Sequence, residues 1–308
     1  MLHALKQLYS FTYCIINFKG SFSEVIRMLR GIRQGASSSV LLFNYYMDDL
    51  FRFLEEKCDY DEILQNIHCL IHADDTLVLS TNRENFVKKC NEVAIFMRIN
   101  KLKLNVGKSA FLVINSQDPY DKVDFNIDGG IIRNKDKIFY LGVIISDCGS
   151  LKSDIKSYVD IKRSNVSIKF QNFCIVNQNA PLSCKLDVCV KSSLISACET
   201  WGNNVYDAEL IYKHGLKTAL DIRNNVNNEI IYVETGMFPL ECDIKSLQLK
   251  FWLFITDYVS NNPSAAIAKV LNICNDERIG FVEYYKTLLT TYDNPKSCKK
   301  SLQIYYQN

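Results

Sequence analysis

The chain has 308 residues, with 36 Lys and Arg against 34 Asp and Glu, 12 Gly and 5 Pro. At roughly 100–200 residues per domain this is enough for two units and a sizeable core, and 48% hydrophobic with 23% charged residues is an ordinary globular balance. The low Gly and Pro content excludes collagen-like, linker-rich and many-turned all-β chains, while a formal net charge of +2 gives no overall pull towards a polyanion.

Residues 1–30 mix apolar and basic side chains, with Glu24 the one acid among Lys6, Lys19, Arg27 and Arg30. Gly31 to Gly35 (Gly-Ile-Arg-Gln-Gly) reads as a glycine-bracketed turn, followed by Ser37, Ser38 and Ser39. From Val40, the apolar positions Leu41, Leu42, Tyr45, Tyr46, Leu50, Phe53 and Leu54 recur at helical spacing. That predicts one helix to about Lys57, capped by the serines. Two β-prone runs, Ile67 to Ile71 and Thr76 to Ser80, flank His72-Ala73-Asp74-Asp75 and predict a hairpin with the aspartates at its tip. Thr81 with Glu84 forms a capping box for a helix that ends near Asn100. Short strands are expected at Leu102 to Asn105, Phe111 to Asn115 and Phe139 to Ile145. Beyond Gly149 longer helices are expected over about 151–174, 182–200, 206–221 and 243–259, with breaks at Trp201-Gly202 and Asn224 to Asn228. The fold class is therefore α+β, antiparallel hairpins packed with helices and then an all-helical region.

The adjacent aspartates carry the most chemistry. Paired carboxylates repel and need a counter-charge, which a divalent cation with hard oxygen ligands supplies. Such a pair on a rigid hairpin tip is a platform for two-metal phosphoryl transfer. It is equally the composition of an ordinary polar turn. A second pair, Asp48-Asp49, sits in Tyr45-Tyr46-Met47-Asp48-Asp49-Leu50 and has the letters of the retroviral polymerase signature. Its flanks have helical periodicity, and neighbours on a helix point about 100° apart. It reads as a polar helix face and a decoy.

Taken together, Gly31-Ile32-Arg33-Gln34-Gly35, the helix opening Leu41-Leu42-Phe43-Asn44, Ala73-Asp74-Asp75 and Leu102-Lys103-Leu104-Asn105 before Lys108-Ser109 resemble a non-LTR (LINE-type) retrotransposon reverse transcriptase. Tyr140-Leu141-Gly142-Val143 stands where that family places its primer-gripping hairpin, and Cys198-Glu199-Thr200-Trp201-Gly202 resembles its post-thumb segment. The resemblance implies a partial polymerase palm over 1–149, a thumb-like helical segment over 150–205 and a C-terminal helical region over 206–308. It implies RNA-directed DNA polymerase chemistry with Mg²⁺, an RNA template and DNA primer forming an RNA–DNA hybrid, and deoxynucleoside triphosphates as substrates. Asp74 and Asp75 match the family's metal-binding pair. Arg33, Gln34 and Gly35 match the loop at the incoming nucleotide and template, where a glycine admits close backbone approach. Lys108 matches a lysine near the leaving pyrophosphate; a solvated surface lysine is the plainer reading.

Three departures bear on activity. Only 30 residues precede Gly31 and none is an aspartate, so the fingers and a third catalytic carboxylate are expected to be missing and the fragment to be inactive alone. Ala36-Ser37-Ser38-Ser39-Val40 replaces the family's proline-containing run, altering the loop's rigidity. His72 replaces a common aromatic residue two before the aspartates, and packing against its hairpin neighbours is expected of it. A non-catalytic nucleic-acid binder and a helical interaction protein derived from a retroelement are the readings from other classes.

The 12 cysteines are spread along the chain with no Cys-x-x-Cys pair. Cys184, Cys189 and Cys198 lack the fourth ligand of a structural zinc site, so reduced, mostly buried thiols of an intracellular protein are expected. No signal-peptide layout opens the chain, and Tyr9 to Phe18 is shorter than the roughly 20 residues that span a bilayer; no membrane partner is expected. The net charge conceals an uneven distribution. Residues 1–33 carry five basic side chains and one acid, 76–110 seven and two, and 151–175 five and two, whereas nine acids fall between 48 and 75. Three basic strips around an acidic centre are what a phosphate track requires.

Overall fold

The computed structural model describes residues 2–29, 31–33, 35–61, 63–64, 67–220, 222–223, 225–262, 265–276, 280–292 and 294–307. Short sheets occupy the N-terminal half and helices the C-terminal half, a mixed α+β architecture as the hydrophobic periodicities predict. The chain forms two compact units, Met1–Leu104 and Asn105–Asn308.

In the first unit, helix α1 (Leu2–Ser10) precedes a ribbon of short strands β1 (Tyr13–Cys14), β2 (Asn17–Phe18), β3 (Ser21–Phe22) and β4 (Ile26–Arg27), with β1 antiparallel to β4 and β2 to β3. The helix predicted from Val40 to Lys57 is two helices, α2 (Ser37–Met47) and α3 (Asp49–Lys57), joined at Asp48. The serines do not cap it: Ala36 is the N-cap residue and makes no side-chain bond. Asp48 and Asp49 are exposed at the joint, on helical backbone as their flanks predict. Strands β5 (Cys69–His72) and β6 (Asp75–Val78) form the predicted hairpin, followed by α4 (Arg83–Ile99). Met47, Leu50 and Leu54 meet Cys69, Val93 and Phe96 in one buried cluster. Leu50 with Leu54, and Val93 with Phe96, are three or four apart and so share one helix face; each such large side chain buried contributes about 1.5–3 kcal/mol.

The predicted Thr81–Glu84 capping box is replaced. Asn82 caps α4, its side chain accepting from the Asn85 N–H at 2.8 Å. Thr81 is engaged elsewhere, donating its N–H and its hydroxyl to buried Asp61, each at 2.9 Å. Asp61 also accepts from the N–H groups of Ile63 and Leu64 at 3.1 and 3.0 Å. Burial pushes this carboxyl up, but the bonds from Leu64, Thr81 and Ile63 outweigh it and hold it below the usual range.

The Leu102 to Asn105 stretch, predicted as a strand, is irregular backbone that closes the first unit at Leu104 and leads into a 3₁₀ turn over Val106–Lys108 in the second. Strand β7 covers only Ala110–Phe111, and pairs in parallel with β9 (Gly130–Asn134), which also pairs antiparallel with β8 (Phe125–Ile127). The run Phe139 to Ile145 is a hairpin, β10 (Lys137–Tyr140) and β11 (Val143–Ser146), turned by Leu141 and Gly142 at φ of 50° and 80°. The helix α5 (Leu151–Val176) follows. Its Asp154 is buried and accepts from both the N–H and the hydroxyl of Ser146, fastening β11 to the helix. The change of pattern near Gly149 thus falls inside the second unit.

The helix predicted over 182–200 is broken into α6 (Leu182–Leu186), a π turn over Asp187–Lys191, α7 (Ser192–Leu194) and a 3₁₀ turn over Cys198–Thr200. Then come α8 (Tyr206–Ala219), α9 (Asn228–Thr235), α10 (Leu240–Asn261), α11 (Ala266–Asp276), α12 (Gly280–Thr291) and α13 (Pro295–Gln307). Fully buried Gln248 of α10 donates to the carbonyls of Cys198 and Gly202 at 3.0 and 2.8 Å and accepts from the Tyr284 hydroxyl at 2.9 Å. Tyr285 donates to the carbonyl of Glu199. The Cys198–Gly202 segment is therefore held by helices that the periodicity left unassigned (α12) or began three residues late (α10). Eleven of the twelve cysteines are free thiols, five of them buried, and among the described residues no helix is long and apolar enough to cross a membrane.

Candidate active site

The acidic hairpin is set by four cross-strand pairs: Cys69 with Val78, Leu70 with Leu77, Ile71 with Thr76, and His72 with Asp75. Cys69 is buried in the core cluster and Ile71 and Val78 pack against it, which fixes the register, because a slip of one residue would expose the apolar positions. Only Ala73 and Asp74 remain for the turn, with Ala73 at φ of 50°, a left-handed conformation unusual for a residue with a Cβ. Asp74 thus lies in the turn and Asp75 opens the returning strand, both exposed. His72 is exposed as well, not packed on its neighbours as expected. Behind the hairpin, fully buried Lys89 of α4 donates from Nζ to the Leu79 carbonyl at 2.8 Å. Burial holds its ammonium below the ordinary lysine range. This anchor was not singled out from sequence; a lysine on the apolar face of α4 was the available signal.

The glycine-bracketed loop is fastened at one residue. The Arg33 guanidinium donates to the Leu8 carbonyl of α1 at 3.1 Å, and the Arg33 carbonyl accepts from the Ser39 hydroxyl at 2.6 Å. Ser39 is buried and also lies 3.3 Å from the Tyr9 hydroxyl. Ser39 therefore ties the loop to α2. Gly31 and Gly35 both have positive φ, 94° and 81°, and nothing lies within 4 Å of where a Cβ on Gly35 would stand. Conformation, not crowding, requires glycine there, and the space beside it is open. Arg33 spends one of its five guanidinium donors on α1 and remains exposed. Gln34 lies outside the described residues.

Lys108 belongs to the second unit, where it ends the 3₁₀ turn and is exposed. Its N–H is capped by the Asn105 side chain at 3.3 Å. The turn is seated by Val106, which packs so closely on Gly130 that a Cβ there would come within 2.6 Å of it.

The donor chemistry of the hairpin suits a hard divalent cation, since both side chains are exposed carboxylates. The set is incomplete: among the described residues no group of three or more His, Cys, Asp or Glu side chains converges as a metal centre. The geometry supplies two anchoring carboxylates, not a closed site, and no chemical step is derived through a metal.

The hairpin that carries Asp74 and Asp75 and the loop fastened through Arg33 both fall within one stretch that matches a known family. Residues 2–145, from α1 into β11, match the family described as "Reverse transcriptase (RNA-dependent DNA polymerase)". More particularly, the chain is similar to the "Retrovirus-related Pol polyprotein from type-1 retrotransposable element R2" of Nasonia vitripennis, 28% identical over 158 residues. That alignment covers 48% of this chain and 15% of the polyprotein.

Proposed function

We propose that residues 1–149 are the palm portion of a non-LTR retroelement reverse transcriptase, residues 150–205 its thumb-like segment, and residues 206–308 a helical region beyond it. The partners are an RNA template, a DNA primer and deoxynucleoside triphosphates. The observation that carries this reading is the placement of Asp74 and Asp75, exposed and adjacent, on a hairpin whose opposite end is buried. Polymerase active sites act mainly by positioning and by stabilising charge on the transferred phosphoryl group, and a rigid acidic tip serves both. Arg33, Gln34 and Gly35 would lie along the template and incoming nucleotide, with the loop held by Ser39. Lys108 would meet the leaving pyrophosphate.

The chain on its own binds template–primer but does not extend it, because no third carboxylate joins the pair among the described residues. Two measurements test this. Purified protein with a primed RNA template, Mg²⁺ and nucleotides gives no extension; product formation would overturn the claim of inactivity. Asp74→Asn with Asp75→Asn keeps or tightens affinity for an RNA–DNA hybrid by a few-fold in the absence of metal, since two negative charges near phosphate are removed. A folded double variant that loses hybrid affinity contradicts the placement of these residues beside the phosphates.

A further inference from the structure

We propose that the tip of the ribbon over β1–β4 is a stacking site for unpaired nucleotides of a bound nucleic-acid strand, an inference that rests on the reading that the chain binds template–primer. The tip is a tight turn in which Lys19 and Gly20 have φ of 50° and 86°, closed by the Asn17 side chain accepting from the Gly20 N–H at 3.1 Å. Phe18 and Phe22 flank it and are 70% and 71% exposed. The register sets Phe18 opposite Ser21 and Phe22 opposite Asn17. Directly opposed residues share a face and neighbours alternate, so the two rings stand on opposite faces of the ribbon. Lys19 Nζ lies 5.5 Å from the centre of the Phe18 ring. At the base of the ribbon Tyr13 and Arg27 oppose each other, both exposed.

Phe18 and Phe22 are exposed together with Tyr13, Ile15, Ile16 and Val25 of the same ribbon, and an exposed apolar surface rimmed by polar residues marks an interaction site. Two features choose the occupant. The ribbon's own charge is complementary to a polyanion: Lys19 and Arg27 are exposed on it, with Glu24 its single acid. The cations also sit beside the rings themselves, whereas the centre of a protein-docking face is depleted of charged residues. Aromatic rings interleaved with basic side chains are the composition of a surface that stacks bases and tracks phosphates. Isolated two-stranded ribbons are marginal in water, which fits a surface that is completed by its ligand.

The test compares binding of the full chain, followed by fluorescence anisotropy, to a blunt RNA–DNA hybrid and to the same hybrid with a single-stranded RNA overhang. The expected result is tighter binding to the overhang substrate, with Phe18→Ser plus Phe22→Ser lowering that affinity on the order of tenfold and leaving the blunt hybrid unchanged. Lys19→Ala is expected to weaken overhang binding and reduce its salt dependence. Equal weakening on both substrates, or none on either, overturns the stacking site while leaving template–primer binding intact. Failure of the wild-type chain to bind either substrate overturns both. If the variants instead abolish a wild-type dimer seen by sedimentation and leave RNA binding unaltered, the surface is a protein interface and the proposal is wrong. Unchanged circular dichroism of the variants guards against a folding artefact.

Discussion

At the scale of single residues, the candidate site depends on two positions where backbone geometry and side-chain size conflict with ordinary preference. Ala73 holds the turn before Asp74 at φ of 50°, a conformation that costs an L-residue about 1–2 kcal/mol. A β-branched residue fits it worse still. Ala73→Val is therefore expected to lower stability by about 1–2 kcal/mol, and Ala73→Gly to be neutral or slightly stabilising. Urea midpoints of the two variants check this, and equal midpoints would show that the turn does not need the left-handed geometry. Gly130 is the second position. A Cβ there meets Val106 at 2.6 Å for Cγ1 and 3.1 Å for Cβ, so Gly130→Ala has to displace the 3₁₀ turn that carries Lys108. An overpacking cost of about 1–3 kcal/mol is expected; a fully stable variant would place Val106 elsewhere. Residue-scale errors in reading the sequence have the same kind of cause. Thr81 looked like a cap because Glu84 stands three residues on, but its hydroxyl and N–H are taken by Asp61, twenty residues away and invisible to local spacing.

At the scale of elements, whatever local periodicity determines was legible. The acidic hairpin, α4, α5 and α8 fall within a few residues of their predicted spans, because each buries one face with the period proper to its structure. The helix over 182–200 failed for a tertiary reason. Val190, in the π turn, is fully buried against Gly215 of α8, where a Cβ would approach it to 3.3 Å; a packing demand from a distant helix reshapes the ladder. The Asn224 to Asn228 break falls between α8 and α9 as predicted, but the packing of α8, α9 and α10 on one another was not legible for a similar reason, since one carboxylate joins them. Glu209 accepts from the Tyr232 hydroxyl of α9 and from the Glu241 N–H in the first turn of α10 at 3.2 Å. Burial raises its pKa above the ordinary value of 4.5, against the lowering effect of Tyr232 and Lys213. An acid with a raised folded-state pKa contributes stability that is fully present below its unfolded value and is lost as pH rises through the folded one. Wild-type stability relative to Glu209→Gln should accordingly fall as pH rises above the ordinary glutamate range. Chemical denaturation of both proteins across that range measures the difference, and a constant offset would mean that the group titrates normally.

At the scale of the whole molecule, near-neutral composition is a poor guide to the field that a partner meets. The basic strip counted over 76–110 is weaker than its seven cations suggest, because Lys89 is fully buried on the Leu79 carbonyl and Lys88 pairs with Asp59 at 2.8 Å. Lys101, Lys103 and Lys108 remain exposed. The strip over 151–175 gains in effect, since one of its two acids, Asp154, is buried on Ser146. Sequence arithmetic located the strips, but only burial and pairing decide which charges reach solvent. The expected consequence is binding to an RNA–DNA hybrid that is dominated by a few phosphate contacts. Affinity should fall on the order of ten- to a hundredfold between about 50 and about 200 mM salt, as counterions released by some three contacts require. Neutralising one phosphate contact lowers the slope of log affinity against log salt by about 1. Lys103→Gln is expected to do so, whereas Lys88→Gln, which removes a cation already paired with Asp59, should leave the slope unchanged. Identical slopes for the two variants would mean that burial and pairing do not govern which lysines the nucleic acid meets.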